Sequence, residues 1–203
     1  MLQQDKKKLL VKSIKKYAKS NHSVIDIGCA IGKWLPVLSP LFKKVIALDI
    51  SANNLKIAQQ LYPTLPNVTY KRADMSAVNA KIPAAEFGVC INAILTPHAK
   101  DRAIFFSNLK KCIKKNGTLV LTVPSLESYL LTRIIQRQFG IDKKAFAEKI
   151  TGKKALQKWT LLMQGVGEID QVPHKHFLEE ELLLNLGKAG FNVIEIKKID
   201  SFM

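Results

Sequence analysis

Cysteine is scarce in this chain, and what there is does not pair. Cys29, Cys90 and Cys112 are odd in number, widely spaced and form no CxxC. That excludes a disulfide framework and a cysteine-based zinc site, so no metal is expected, and it points to a reducing compartment, with a cytoplasmic location as the expectation. Arginine is also thin for so basic a protein. Lys and Arg total 32, yet Arg stands only at positions 72, 102, 133 and 137. Long apolar runs are missing as well: no stretch approaches the ~20 residues of a membrane span. The first twenty residues are lysine-rich and lack the apolar core of a signal peptide. Acids number 16, leaving a net charge of +16. This balance favours an anionic partner such as RNA without specifying one, because base and phosphate recognition usually recruits Arg forks.

What remains suits one α/β domain over residues 1–203, at 47% hydrophobic and 24% charged. Leu9, Leu10, Ile14, Tyr17 and Ala18 recur at helical spacing, so residues 1–20 contain an amphipathic helix running from about Gln4 to Lys19. Short buried strands and helices then alternate. The strands are Val24–Ile27, Val45–Ile50, Val68–Lys71, Phe87–Ala93 and Thr118–Val123. Helices are expected at Gly32–Phe42, at Ala52–Leu61 with Ser51 as N-cap, and at Asp101–Lys115, ended by Asn116-Gly117. This order implies a doubly wound, mostly parallel sheet with right-handed crossovers. Residues 125–172 interrupt the rhythm with a helical insertion, Leu126–Phe139 and Lys143–Met163, closed by a loop at Gly165-Val166-Gly167. A helix from Leu178 to Lys188 and a strand over Phe191–Ile196 follow.

The first strand runs into Gly28-Cys29-Ala30-Ile31-Gly32. A ligand at a strand-to-helix turn needs close backbone approach, which Gly28 and Gly32 allow. Ala30 and Lys33 replace the second and third glycines of a dinucleotide fingerprint, and Gly32-Lys33-Trp34 does not complete a P-loop. Three acids stand at successive strand ends: Asp26, Asp49 and Asp74. Each alone is equally a helix cap or a surface ion pair. Together they face the sheet edge where ligands of open α/β sheets bind. Asp49 is placed for ribose hydroxyls. Asp26 repels a pyrophosphate but suits a sulfonium carrying an ammonium group. Asp74 can accept from an adenine amine, with Met75 packed on the ring.

Asp26-Ile27-Gly28-Cys29-Ala30-Ile31-Gly32, Asp49, Asp74-Met75 and the turn Asn116-Gly117-Thr118 together resemble the class I, seven-strand-type S-adenosylmethionine-dependent methyltransferases. Their first motif is D/E-x-G-x-G-x-G, from which Ala30 departs. The segment from His176 to Leu182, followed by Ala189-Gly190-Phe191, resembles the last helix–strand unit of the small-molecule enzymes. The resemblance implies a Rossmann-like fold, S-adenosyl-L-methionine as cofactor, and a cofactor site drawn from Asp26, Gly28, Cys29, Gly32, Asp49, Ile50, Asp74, Met75 and Asn92. The 125–172 insertion falls where this family places substrate-recognition elements.

Some family features are absent. Strand four opens Phe87-Gly88 where Phe-Asp is common, and Asn92-Ala93-Ile94-Leu95 lacks the N/D-P-P-Y/F signature of nucleobase amino-methyltransferases. A general base is needed only if the acceptor must lose a proton. His98, just past strand four, is the candidate, while His174 and His176 are placed to meet substrate. A small-molecule acceptor is therefore the first expectation and RNA the alternative. A cofactor-binding scaffold without catalysis stands third.

Overall fold

A computed structural model describes residues 8–141 and 151–199 of the chain. The first residues of the expected N-terminal helix and the start of the expected Lys143–Met163 helix lie outside that range. Five strands form one parallel sheet: β1 (Ser23–Ile27), β2 (Lys44–Asp49), β3 (Val68–Arg72), β4 (Ala85–Ile91) and β5 (Ile113–Thr122), in the order β3-β2-β1-β4-β5. Val24 through Ile27 are all buried, as a central strand covered on both faces requires.

The covering helices divide by face. Val24, Val45, Ala47, Phe87 and Val89 pack against α1 (Leu9–Tyr17), α2 (Leu35–Leu38) and α3 (Ala52–Leu61) through Leu10, Ile14, Leu35, Leu38, Leu55 and Ala58. Ile25, Ile27, Ile46, Leu48 and Cys90 pack on the other face against α4 (Ala99–Lys111), through Phe105, Phe106 and Leu109. The doubly wound sheet expected from the sequence is present.

Several boundaries moved, each for a local reason. The helix expected over Gly32–Phe42 shrinks to α2 and a 3₁₀ turn at Ser39–Leu41. Gly32 is still in the loop at φ 83°, and Pro40 has no N–H with which to continue an α-helix. Helix α4 ends at Lys111, not at Lys115, because Ile113 is buried and already pairs with Ala85. Asn116-Gly117 is therefore not a helix stop. It belongs to β5, where the register with β4 shifts between Ala85 and Phe87 and Asn116 takes φ 63°.

The insertion contains α5 (Leu126–Gln138) and α6 (Gly152–Met163). The expected Gly165-Val166-Gly167 loop is instead the start of an antiparallel hairpin, β6 (Val166–Ile169) with β7 (Val172–Lys175). Its turn, Asp170-Gln171, has positive φ at both residues, 51° and 64°, as a two-residue hairpin turn requires. After α7 (Glu179–Lys188), the strand expected at Phe191–Ile196 is not formed. Phe191 packs against the core and Glu195 meets Lys16 at 3.6 Å, so side chains rather than a ladder hold this segment.

Candidate active site

The strand order reverses between β1 and β4, and there the loops after those strands come into contact. Gly28 has φ 73°, and a Cβ on it would lie 2.5 Å from the Cβ of Ala93. No side chain fits, which is why glycine stands there. The loop then bends over the end of β2: the Gly28 and Cys29 N–H groups donate to Leu48 O at 2.8 and 3.0 Å. Cys29 is buried among the residues around Leu35, and burial pushes its thiol far above the usual range. It therefore offers backbone, not a nucleophile. Ala30 holds φ 47°, and its N–H donates to Asp49 Oδ2 at 2.9 Å. Gly32 at φ 83° closes the loop against Leu35, Ala58 and Tyr62.

Asp49 is buried and ties two loops together. Its Oδ1 accepts from Ser51 N–H at 2.8 Å, at the start of α3, and from Asn54 Nδ2 at 3.4 Å. Ile50 beside it is 57% exposed, an open apolar surface at the strand end. Asp26 is 1% exposed, and its Oδ2 has no hydrogen-bond partner. Burial, reinforced by the charge of Asp49, raises the Asp26 carboxyl to about 7. An unpartnered buried oxygen in a β1 carboxylate, beside an open glycine turn, fits a ligand that carries its own cation and hydrogen-bond donors.

Asp74 is exposed and accepts from Ser76 N–H at 2.8 Å. It stays at the same edge, since Ala73 N–H donates to Asp49 O at 3.1 Å. Met75 corrects the sequence reading. Its side chain is buried in the core beside Ile27 and Leu48, and its carbonyl accepts from Asn108 Nδ2 at 3.0 Å, so it is not a free surface for an adenine ring. Asn92 follows β4 at φ 51°, tied to the end of β5 by its N–H to Thr122 O at 3.0 Å.

His98 lies on the exposed N-cap of α4 and makes no side-chain cap bond. His174 and His176 are brought to the same edge from the insertion. Lys175 N–H between them donates to Leu95 O at 3.0 Å, and Phe177 N–H donates to Pro124 O at 2.8 Å, so this stretch crosses the loops after β4 and β5. His176 is buried and lies 4.4 Å from the Tyr129 ring, centroid to centroid. Burial lowers its pKa. Its Nδ1 is 3.0 Å from His174 O, and a carbonyl only accepts, so Nδ1 carries the proton and Nε2 is left as an acceptor.

Sequence reasoning passed over the residue between these histidines. Lys175 is 1% exposed, and its Nζ donates to Gln164 O and to Glu181 Oε2, both at 2.7 Å. The ammonium lies 5.0 Å from the Phe177 ring centroid. Burial lowers its pKa, opposed by Glu181. The signal was in the glycines: a Cβ on Gly165 would meet Lys175 Nζ and His176 O, and one on Gly167 would enter the Tyr129 ring.

Compared with known proteins, residues 2–196 match a family model described as "Methyltransferase domain". The chain belongs to this methyltransferase-domain family. It is 33% identical over 100 residues to the 2-methyl-6-phytyl-1,4-hydroquinone methyltransferase of Synechocystis sp., covering 49% of this chain and 31% of that one. It is 24% identical over 181 residues to the ubiquinone biosynthesis O-methyltransferase of Pelagibacter ubique, covering 89% and 64%. This chain therefore spans about a third and just under two thirds of those two relatives. A SAM-dependent methyltransferase from Methanosarcina mazei superposes with a TM-score of 0.67 at 18% identity, covering 90% and 85% of the two chains, which shows a shared fold.

Proposed function

We propose that this methyltransferase-domain protein transfers a methyl group from S-adenosyl-L-methionine to a small-molecule acceptor. The observation that carries the reading is the unpartnered, buried Asp26 Oδ2 at the switch point, beside a glycine turn that no side chain can enter. Asp26 then receives the cofactor's ammonium group. Asp49 is held from two sides by backbone N–H groups. Its Oδ1 already accepts from both Ser51 N–H and Asn54 Nδ2, and Oδ2, which accepts from Ala30 N–H, keeps a second lone pair for a ribose hydroxyl. Ile50 covers one face of the adenine, and Asp74 accepts from its amine. Gly28, Cys29, Gly32 and Asn92 shape the backbone around it.

Bound there, the cofactor supplies an electrophilic methyl group and a neutral thioether leaving group, so the protein's task is alignment and exclusion of water. His98 and the His174–His176 stretch face the acceptor side, with His98 as the group to take a proton where the acceptor must lose one. The similarity to a hydroquinone methyltransferase and to a ubiquinone biosynthesis O-methyltransferase supports a phenolic or hydroquinone acceptor. The RNA alternative rests on the net charge of +16.

Labelled S-adenosylmethionine, offered with a panel of hydroquinones and with total RNA, tests the proposal. Label on a hydroquinone is the expected result. Label only in RNA overturns the acceptor class. Saturable binding with no transfer to either overturns catalysis. No binding at all overturns the cofactor site.

A further inference from the structure

His176 is held so that one ring nitrogen is left over. The chain is clamped on both sides of it. His176 N–H donates to Gly165 O at 2.7 Å, and Leu126 N–H, at the start of α5, donates to Phe177 O at 3.0 Å. These bonds join those from Lys175 and Phe177 to the loops after β4 and β5. Successive side chains of an extended stretch point to opposite sides. Lys175 and Phe177 share one side, with the ammonium 5.0 Å from the ring centroid, and Phe177 meets Phe106 of α4 edge-on at 6.3 Å in the core. His176 takes the other side, against the Tyr129 ring of α5. It faces away from the α4 core, where α5 follows the end of β5.

The Nδ1 hydrogen of His176 goes to His174 O. Nε2 makes no hydrogen bond, yet it is not sealed: among the described residues, Asp26 Oδ2 is the buried side-chain atom with neither partner nor exposure. The 2% of His176 that remains open therefore includes Nε2. A lone pair in a narrow opening beside an aromatic ring suits a hydrogen-bond donor on a flat ligand.

The two histidines at this edge are unlike each other. His98 is exposed, so water can solvate its charged form. Burial disfavours the His176 imidazolium, and the neighbouring His174 and Lys175 add to this, opposed by the hydrogen bond to His174 O. His176 is thus suited to accept a hydrogen bond without taking the proton. We infer that His176 Nε2 accepts from a second hydroxyl of the methyl acceptor, so that the site selects diphenols over monophenols. The inference rests on the phenolic reading above. One hydroxyl meets the methyl group and His98; the other is held by His176. A monophenol leaves Nε2 dry and unpaired, and a site built for a hydroxyl rejects the analogue that lacks it.

Methyl transfer by the full chain to methylhydroquinone and methylcatechol, against the cresol that lacks the second hydroxyl, tests it. The wild type should favour a diphenol by about tenfold or more in kcat/KM. His176→Ala should reduce that preference to within about threefold, chiefly by slowing the diphenol. His176→Gln, whose Oε1 can reach the place of Nε2, should restore part of it. A second readout needs no turnover. The NMR resonance of the bare His176 ring nitrogen, assigned by its absence from His176→Gln, should move when the diphenol binds and stay when cresol binds. This signal is read in the wild type, so a variant that fails to fold leaves the test standing. Equal use of diphenol and monophenol, a preference unchanged in folded His176→Ala, or an unmoved nitrogen signal with a diphenol that is methylated overturns this inference alone. Transfer to no phenol overturns it together with the acceptor reading on which it rests.

Discussion

Ala30 donates its backbone N–H to the Asp49 carboxylate at 2.9 Å, so the tip of the glycine loop is anchored to the end of the neighbouring strand. The other oxygen of Asp49 anchors the start of α3 through Ser51. Asp49→Ala removes both acceptors and the group proposed to hold the ribose. Leaving a buried donor unpaired costs about 1–3 kcal/mol, and less for these two because Ala30 and Ser51 are only partly shielded from water. The expected result is a lower melting temperature, and cofactor affinity weakened by about 2 kcal/mol, roughly 30-fold, in calorimetric titration. Affinity within a factor of three of the wild type would remove Asp49 from the site.

Ala30 also occupies the position where the family motif has its middle glycine, and it holds φ 47° there. A left-handed conformation costs an L-residue about 1–2 kcal/mol, partly offset by the narrower unfolded ensemble of Ala. Ala30→Gly is therefore expected to stabilise the fold by about 0.5–1 kcal/mol in urea unfolding, with the N–H to Asp49 retained. Destabilisation would mean that the Ala30 methyl makes packing contacts that outweigh the strain.

The parallel sheet was legible because its cause is local. Val24–Ile27 and Val45–Asp49 are apolar runs of strand length between turn residues, and Ser51 does cap α3, accepting from Asn54 N–H at 3.2 Å. The acids at strand ends were legible for the same reason. What failed depends on distant partners. Ile113 joined β5 because Ala85 lies opposite it, and nothing near Asn116-Gly117 announces that. Met75 was assigned to a ligand on position alone, whereas Ile27, Leu48 and Asn108 take it inward. Gly165-Val166-Gly167 reads as a loop until Tyr129 is known to cover Gly167. Lys175 was passed over because its partners, Gln164 O and Glu181, meet only when the hairpin folds.

Asp26 sets a pH dependence whose sign can be worked out. Its carboxyl moves from an ordinary 3.8 to about 7 in the folded protein, first through burial and then through Asp49. A carboxyl raised on folding contributes stability that is complete below its unfolded value and lost as pH rises through its folded value. Stability should therefore fall between about pH 4 and pH 7 and then level off. At 1.36 kcal/mol per unit, this effect is on the order of 4 kcal/mol. Asp26→Asn should flatten that slope in denaturant titrations. Ionised Asp26 is the form that attracts an ammonium, so cofactor binding at pH 6.5 should release a proton, seen as a buffer-dependent heat, and Asp26→Asn should abolish the release. A slope identical in wild type and variant would refute the assignment.

Gly28 and Gly187 make a matched pair. A Cβ at Gly28 meets Ala93 Cβ at 2.5 Å in a left-handed backbone, while one at Gly187, in α7, meets nothing within 4 Å. Gly28→Ala should destabilise the protein by about 2 kcal/mol or more and separate the loops after β1 and β4, with loss of cofactor binding. Gly187→Ala should stabilise it by up to about 1 kcal/mol through helix propensity alone and leave binding unchanged. Thermal melts of the two variants, with and without cofactor, check both. Equal effects would mean that the approach of Gly28 to Ala93 is not a constraint.

Lys175 and Glu181 are unequally buried, at 2% and 34% side-chain exposure, and the two ends of the ion pair are therefore not equivalent. Removing Glu181 leaves an ammonium inside the protein donating to Gln164 O, a loss that costs about 3–5 kcal/mol when a pair is fully buried and less here because Glu181 is partly wet. Removing the lysine by Lys175→Met instead leaves a carboxylate that water can reach and fills the space beside Phe177 with an apolar chain of similar length. Glu181→Ala is therefore expected to cost more than Lys175→Met, by about 1–2 kcal/mol, and adding Lys175→Met to Glu181→Ala should restore part of the loss. Because Lys175 is tied to Leu95 O through its backbone N–H and not its side chain, Lys175→Met should keep the His174–His176 stretch at the sheet edge. Urea unfolding of the two single variants and the double variant checks the order. A Lys175→Met variant less stable than Glu181→Ala would show that the ammonium, and not its burial, is what holds the hairpin to α7.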